Sequence, residues 1–297
     1  MATLKKNPAT GLMESYEPHF QLPVIHQRSI TSLRFQSRPT ALHTVALRHG
    51  RRLDFYARLT KSDEIAVTFH GANRRDKNIY PKFERVTSLH HEFPSHLAFA
   101  DPTLLLDSQR NLLLGWYCGG PGWDPLADIL LAIERAQART GAKHVVFIGG
   151  SGGGFAALRA SAMLPGSLAY VQSPATSIRN SLPNAKRTYF GLVWKDWDQE
   201  RLIDAFPERF SMPEHYASFR PRNFVYYTQS TSDPYYIENH YVPFYTALGS
   251  TPSPDGPPSG RRWFSPYDGE KEGHGVMTPP EFRFHLHRAL DWWRAAR

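Results

Sequence analysis

One cysteine, Cys118, stands in 297 residues. A lone thiol excludes an internal disulfide and a cysteine-built zinc site, and it fits a reducing compartment. No run of about 18 apolar residues occurs, so no membrane-spanning helix is expected. The stretch Met1–Pro23 has Lys5 and Lys6 but no apolar segment behind them. No secretory leader is therefore expected, and the cytoplasm is the default location. Blocks of like charge are absent too. The net charge of +8 comes from scattered residues and from short pairs such as Lys5-Lys6, Arg51-Arg52, Arg74-Arg75 and Arg261-Arg262. With no helix-turn-helix or zinc-finger spacing, nucleic acid is not an expected partner. A preference for anionic substrates is the milder consequence of the same charge. The His-Glu-x-x-His spacing of a zinc helix is missing, so His70, His90, His91 and His96 read as structural or surface residues. No metal and no cofactor is expected.

Hydrophobic residues at 41% and aromatics at 13% supply a sizeable core. Residues 1–40 contain Pro8, Pro18, Pro23 and Pro39 without a sustained period and read as an irregular arm. Beyond it, short β-rich runs alternate with helical patterns. Strands are expected at 44–48, 53–59, 64–69, 97–100, 143–148, 167–172, 223–228 and 262–265. Helices are expected at 125–140, 155–164, 238–248 and 280–297. Residues 176–222, with aromatics among charges and prolines, read as an irregular, lid-like insertion, and 249–260 as a surface loop. The alternation implies an α/β protein of one domain over 41–297, with a mostly parallel sheet covered on both faces. Composition says nothing about oligomeric state.

The chemistry centres on Gly149-Gly150-Ser151-Gly152-Gly153-Gly154. The pattern Gly-x-Ser-x-Gly between a Val-Val-Phe-Ile strand and an Ala-rich helix is a nucleophile elbow, which exposes the serine Oγ at a helix N-terminus. A phosphate-binding loop is the alternative. A Walker loop needs Gly-Lys-Ser/Thr, where Phe155-Ala156 follows here, and the dinucleotide spacing Gly-x-Gly-x-x-Gly is broken by Phe155. Catalytic partners should follow in the order Ser, acid, His. His274, alone in a glycine loop before the last helix, is the candidate base. His215, His240, His285 and His287 fall in helical or irregular segments. Asp233, just past the 223–228 strand, is the candidate acid, with Asp268, Asp196 and Asp198 as rivals and an Asp-Pro turn as its plain alternative. Oxyanion donors are expected from Gly152 and from Gly71 or Ala72, between which the sequence does not choose. Arg74 and Arg75 are candidates for a substrate carboxylate or phosphate, against the plainer reading of a solvated basic turn.

Five motifs, Phe69-His70-Gly71-Ala72, Pro81-x-Phe83-x-Arg85, Ala100-Asp101-Pro102-Thr103, Gly115-Trp116-Tyr117 and Gly149 through Leu158, carry a closer likeness. The chain resembles a bacterial hydrolase-like group associated with capsular polysaccharide biosynthesis, itself distantly similar to a hydrolase-like component of accessory secretion systems. The likeness runs through scattered motifs over residues 45–297. It implies the α/β-hydrolase fold and the serine site, and loosely a glycan-related role. The expected substrate is a small-molecule or glycan ester. Three readings stay open: an acyl hydrolase of the esterase or deacetylase type, an acyltransferase with the same triad, and a non-catalytic docking protein.

Overall fold

The structure, a computed structural model, describes residues 4–35, 38–257 and 260–297. Parts of two expected segments, residues 1–3 and 36–37 of the arm and 258–259 of the surface loop, lie outside the described residues. One eleven-stranded sheet organises the chain: β1 (Lys5–Lys6), β2 (Met13–Glu17), β3 (Leu22–Gln27), β4 (Thr40–Ala46), β5 (Arg52–Arg58), β6 (Glu64–Phe69), β7 (Ser95–Phe99), β8 (His144–Gly150), β9 (Leu168–Gln172), β10 (Phe224–Ser230) and β11 (Arg262–Tyr267). The spatial order is β1-β2-β3-β4-β5-β7-β6-β8-β9-β10-β11. From β7 to β11 every neighbour is parallel. The strands before it pair antiparallel except β3 with β4.

Helices follow the parallel strands. They are α1 (Leu126–Thr140), α2 (Ser151–Ala162), α3 (Pro183–Val193), α4 (Gln199–Ala205), α5 (Pro207–Phe210), α6 (Met212–Phe219), α7 (Pro234–Tyr236), α8 (Val242–Ala247) and α9 (Pro279–Ala296). A π-helical turn, Ile237–Tyr241, joins α7 to α8. Side chains on a strand alternate between faces, and β8 shows the consequence. Val145 and Phe147 enter a core with Ile129, Ile133 and Phe155 from α1 and α2. Val146 and Ile148 enter a second core under α9 with Phe282, Leu286 and Trp293. Burial on both faces explains the unbroken apolar runs of these strands. Among the described residues no helix is long and apolar enough to cross a membrane.

The segment expected to be an irregular arm instead carries three strands, β1, β2 and β3. β2 and β3 form an antiparallel hairpin, and β3 adds parallel to β4. Its prolines hid this. Pro23 pairs with Tyr16, but the register with β4 begins only at Val24, so the proline stands where β3 has a neighbour on one side only. Residues 176–222 likewise hold four helices rather than an irregular run. Pro183, Pro207 and Pro213 sit in first turns, where a missing N–H leaves no intrahelical bond unmade.

The chain reverses direction across the sheet at β6. β7 follows it on one side, and β8 lies on the other. The carboxyl ends of β6 and β8 therefore flank a crevice of the kind that holds ligands in open parallel sheets.

Candidate active site

Ser151 leaves β8 with φ +51° and opens α2. A non-glycine residue in the left-handed region costs about 1–2 kcal/mol and persists only where packing imposes it. Here the packing comes from glycines. A Cβ on Gly153 would fall 2.2 Å from the Phe69 carbonyl oxygen, and one on Gly152 would fall 2.4 Å from Leu114 Cδ1. The helix begins at the serine itself, four residues before the expected Phe155.

The turn after β6 abuts this elbow. A Cβ on Gly71 would lie 3.6 Å from Ser151 Cβ. The His70 N–H donates to Tyr117 Oη at 3.0 Å, and Tyr117 donates in turn to the Phe99 carbonyl at 2.8 Å. The buried His70 ring donates from Nδ1 to the Gly71 carbonyl at 2.6 Å, while its Nε2 accepts the Asp101 N–H at 3.0 Å. Both nitrogens being used this way fixes a neutral tautomer, and burial holds the pKa down at about 3. Lys82 Nζ donates to the Ala72 carbonyl at 3.1 Å. Within a trans peptide the C=O and the following N–H point in opposite directions. With the Gly71 carbonyl turned to His70, the Ala72 N–H points away from that ring. No acceptor among the described residues takes the N–H of Ala72 or of Gly152.

Asp101 anchors the turn from behind. Its carboxylate accepts the N–H groups of Thr103 at 2.9 Å and of Gly115 and Tyr117 at 3.1 Å each. Burial nevertheless raises its pKa to about 6, against the lowering effect of those bonds.

Asp233 and His274 meet across two loops. His274 Nδ1 donates to Asp233 Oδ2 at 2.9 Å, with the carboxylate only 2% exposed and the imidazole 28%. The other carboxylate oxygen accepts the Tyr236 N–H at 3.1 Å and so caps α7. Gly273, at φ +79°, donates its N–H to the Ser232 carbonyl at 2.8 Å and ties the histidine loop to the aspartate loop. The rival carboxylates are placed otherwise. Asp268 accepts from Thr231 Oγ1, Asp198 caps α4, and Asp196 is exposed on the 176–222 segment. The rival histidines also have other neighbours: His215 contacts the Glu208 carbonyl, His240 accepts the Thr176 N–H, His285 meets Tyr226 and His287 faces Glu92.

A tyrosine completes the group, and sequence reasoning missed it. The Tyr236 hydroxyl lies 3.5 Å from Ser151 Oγ, and its ring stacks on His274. No hydrogen bond joins Ser151 Oγ directly to His274 among the described residues. Burial, ahead of all else, lifts the Tyr236 hydroxyl to about 12. Asp233-Pro234 held the available signal, because an aspartate opening a helix with proline at the next position accepts the N–H three residues on, which is Tyr236.

Ser151 and His274 line one cleft of about 390 Å³ with Gly71, Ala72, Gln172 and Tyr267. One wall is charged, with Arg74, Lys82, Glu84 and Arg85. Arg74 also pairs with Asp76 at 2.8 Å on the surface, and Arg85 lies 3.6 Å from the Phe282 ring centroid. Arg75 is exposed and outside the cleft lining. No residue of 176–222 lines it either. The aromatics Tyr189, Phe190, Trp194, Phe210 and Tyr216 pack in the core beside α2 instead.

No family model matches the chain, and no curated protein matches it in sequence. Solved structures do resemble it. The capsule O-acetyltransferase of Neisseria meningitidis serogroup A, as a histidine-to-alanine mutant in complex with CoA, matches with TM-score 0.59 at 12% identity over 96% of each chain. Esterase B from Lactobacillus rhamnosis, inhibited by a tributyrin phosphonate, matches with TM-score 0.53 at 13% identity over 90% of this chain and 89% of its own. The Pyrococcus furiosus esterase PF2001 matches with TM-score 0.52 at 12% identity over 91% of this chain and 98% of its own. At these identities the likeness establishes the fold: a mixed α/β chain with a large, mostly parallel sheet, shared with esterases and an O-acetyltransferase.

Proposed function

We propose that this protein is a serine-dependent acyl-transfer enzyme of the α/β-hydrolase fold, acting on esters through Ser151, His274 and Asp233. The observation that carries the reading is that His274, hydrogen-bonded to the buried Asp233, lines the same cleft as Ser151, which sits at a strained strand–helix turn. His274 takes the Ser151 proton on Nε2 as Oγ forms its bond to the substrate carbonyl carbon. Asp233 holds Nδ1 protonated and stabilises the imidazolium. The N–H groups of Ala72 and Gly152 receive the oxyanion. As the tetrahedral intermediate collapses, the bond to the leaving alkoxide breaks and His274 returns the proton to it. The resulting acyl-serine then passes its acyl group to an acceptor hydroxyl by the same steps in reverse, regenerating free Ser151.

That acceptor is water in a hydrolase and a sugar hydroxyl in a transferase. The match over 96% of both chains with a capsule O-acetyltransferase supports the second, and the two esterases support the first. The cationic side chains Arg74, Lys82 and Arg85 suit a substrate that carries phosphate or carboxylate. The expected setting is the cytoplasm.

The test is covalent labelling with a fluorophosphonate and location of the adduct by mass spectrometry. An adduct on Ser151, lost in Ser151→Ala and slowed in His274→Ala, supports the reading. A folded protein that takes no label would instead be a docking protein that keeps the fold without the chemistry. Partition of a labelled acetyl group between water and added sugar then separates hydrolase from transferase.

A further inference from the structure

A second cavity lies apart from the serine cleft, bounded by the turn between β4 and β5, the loop at 78–80 and the segment 102–112. It encloses about 710 Å³ and shares no lining residue with the serine cleft. That volume suits a small molecule well beyond the size of a free phosphate.

Its charge is one-sided. Arg51, Arg52, Arg110 and His49 line it, against Asp107 as the only lining carboxylate among the described residues. Asp107 is already committed, since it accepts the N–H groups of Gln109, Asn111 and Leu112. Arg52 is matched by Asp54 from behind, at 2.8 Å. The other two arginines form no ion pair among the described residues, although Asp128 lies near enough to Arg51 to feel its charge. Arg51 rests over the Trp123 ring, 4.8 Å from its centroid, and reaches the Pro121 carbonyl only at 3.5 Å. The Arg110 side chain makes no hydrogen bond or ion pair among the described residues, and neither does the Ser108 hydroxyl. Tyr80 also lines the cavity, with its hydroxyl buried beside Asp54. Guanidinium forks suit phosphate and carboxylate oxygens, while the free Ser108 hydroxyl suits a hydroxyl-bearing body.

We propose that this cavity binds an anionic sugar, a hexose bearing phosphate or carboxylate, held by Arg51 and Arg110. Its wall also continues into the oxyanion turn. Asn73, next after Ala72, donates from Nδ2 to Asn78 Oδ1 at 2.7 Å and to the Ile79 carbonyl at 3.0 Å. Asn78 in turn donates to the Arg110 carbonyl. An occupant gripped by Arg110 therefore bears on the backbone that presents Ala72.

The experiment is calorimetric titration of the full chain with glucose 1-phosphate, glucuronate, glucose and inorganic phosphate. Expected are binding of both anionic sugars, affinity at least about tenfold weaker for glucose and for inorganic phosphate, and a further loss of about tenfold in Arg110→Gln and in Arg51→Gln, each checked for an unchanged melting temperature. Binding should survive fluorophosphonate blocking of Ser151, and Arg74→Gln should leave it unchanged. Absence of binding overturns the proposal. Equal affinity for inorganic phosphate does so as well, as does loss of binding when the serine cleft is blocked. Titration of the unlabelled chain and of its Arg51 and Arg110 variants needs no reaction at Ser151, so that result does not depend on whether Ser151 is a nucleophile.

Discussion

The Tyr236 ring lies face to face with the His274 imidazole, the centroids 3.8 Å apart and the planes 15° from parallel, while its hydroxyl reaches Ser151 Oγ at 3.5 Å. One side chain thus touches both groups of the proposed proton transfer. Behind it, His240 lies 4.6 Å from the Tyr236 ring centroid, within the π-helical turn. The stack fixes the plane of an imidazole that its loop alone would leave free to turn. Tyr236→Ala should slow fluorophosphonate labelling of Ser151 roughly five- to tenfold, the worth of about 1 kcal/mol of aromatic packing. Tyr236→Phe, which keeps the stack, should stay within about threefold. Labelling rates over a concentration series measure both. Equal rates for the two variants would remove the stack from the account.

Asp233 is expected to act through His274, because its second oxygen holds Nδ1 while its first caps α7. Asparagine keeps the cap but stabilises the wrong imidazole tautomer. Asp233→Asn should therefore lower turnover of a small aryl ester by about 10³- to 10⁴-fold with little change in melting temperature. Asp268→Asn, whose carboxylate bonds Thr231 instead, should leave turnover within about twofold. The opposite ranking would move the acid to Asp268.

The parallel half of the sheet and the elbow were legible because local and global signals agree there. Val145 through Ile148 face two cores at once, and only small residues fit beside Ser151. Chain order alone put Asp233 and His274 forward as candidate partners, and a hydrogen bond joins them across 41 positions. Prolines hid what the sequence did not show. They stand at the edge-like end of β3 and in the first turns of α3, α5 and α6, positions that tolerate a missing N–H. Tyr236 was invisible for a different reason. Its role depends on a ring and a hydroxyl meeting residues 38 and 85 positions away, and no local spacing records that. The proposed preference for Ala72 over Gly71 as oxyanion donor likewise rests on the direction of one peptide plane, against which the His70 ring bonds.

That ring supports a third prediction. If the His70 Nδ1–H bond to the Gly71 carbonyl holds the turn, His70→Leu should free the peptide plane that carries the Ala72 N–H. Losing an oxyanion donor outright costs about a hundredfold or more in kcat. Loosening it should cost about tenfold, with KM nearly unchanged, since the donor is used in the transition state. His70→Asn, which can still donate locally, should recover part of the loss. Steady-state kinetics on an aryl ester decide it, and a change confined to KM would place His70 in substrate binding instead.

Acid should unfold this protein early. Burial depresses His43, His70, His96 and His240 to about 3, and His215 and His285 to about 4. In the unfolded chain the same groups titrate near 6.5. As pH falls below that value the unfolded state takes up protons that the folded state refuses, so stability declines. Asp101 opposes this. Its folded pKa of about 6 lies above the unfolded carboxylate value, and between the two the folded state holds the extra proton. One such carboxyl offsets one of six histidines. Glu64 and Asp124, held low by arginines in spite of their burial, add to the loss once the pH reaches the carboxylate range. Each unmatched proton is worth about 1.4 kcal/mol per pH unit, and a domain has only about 5–15 kcal/mol to lose. The melting temperature should be level from pH 8 to 7, fall steeply below 6.5, and leave little folded protein by about pH 4.5. Thermal melts by circular dichroism across that range measure it. A melting temperature at pH 4.5 equal to that at pH 7.5 would mean that these histidines reach their protons without unfolding.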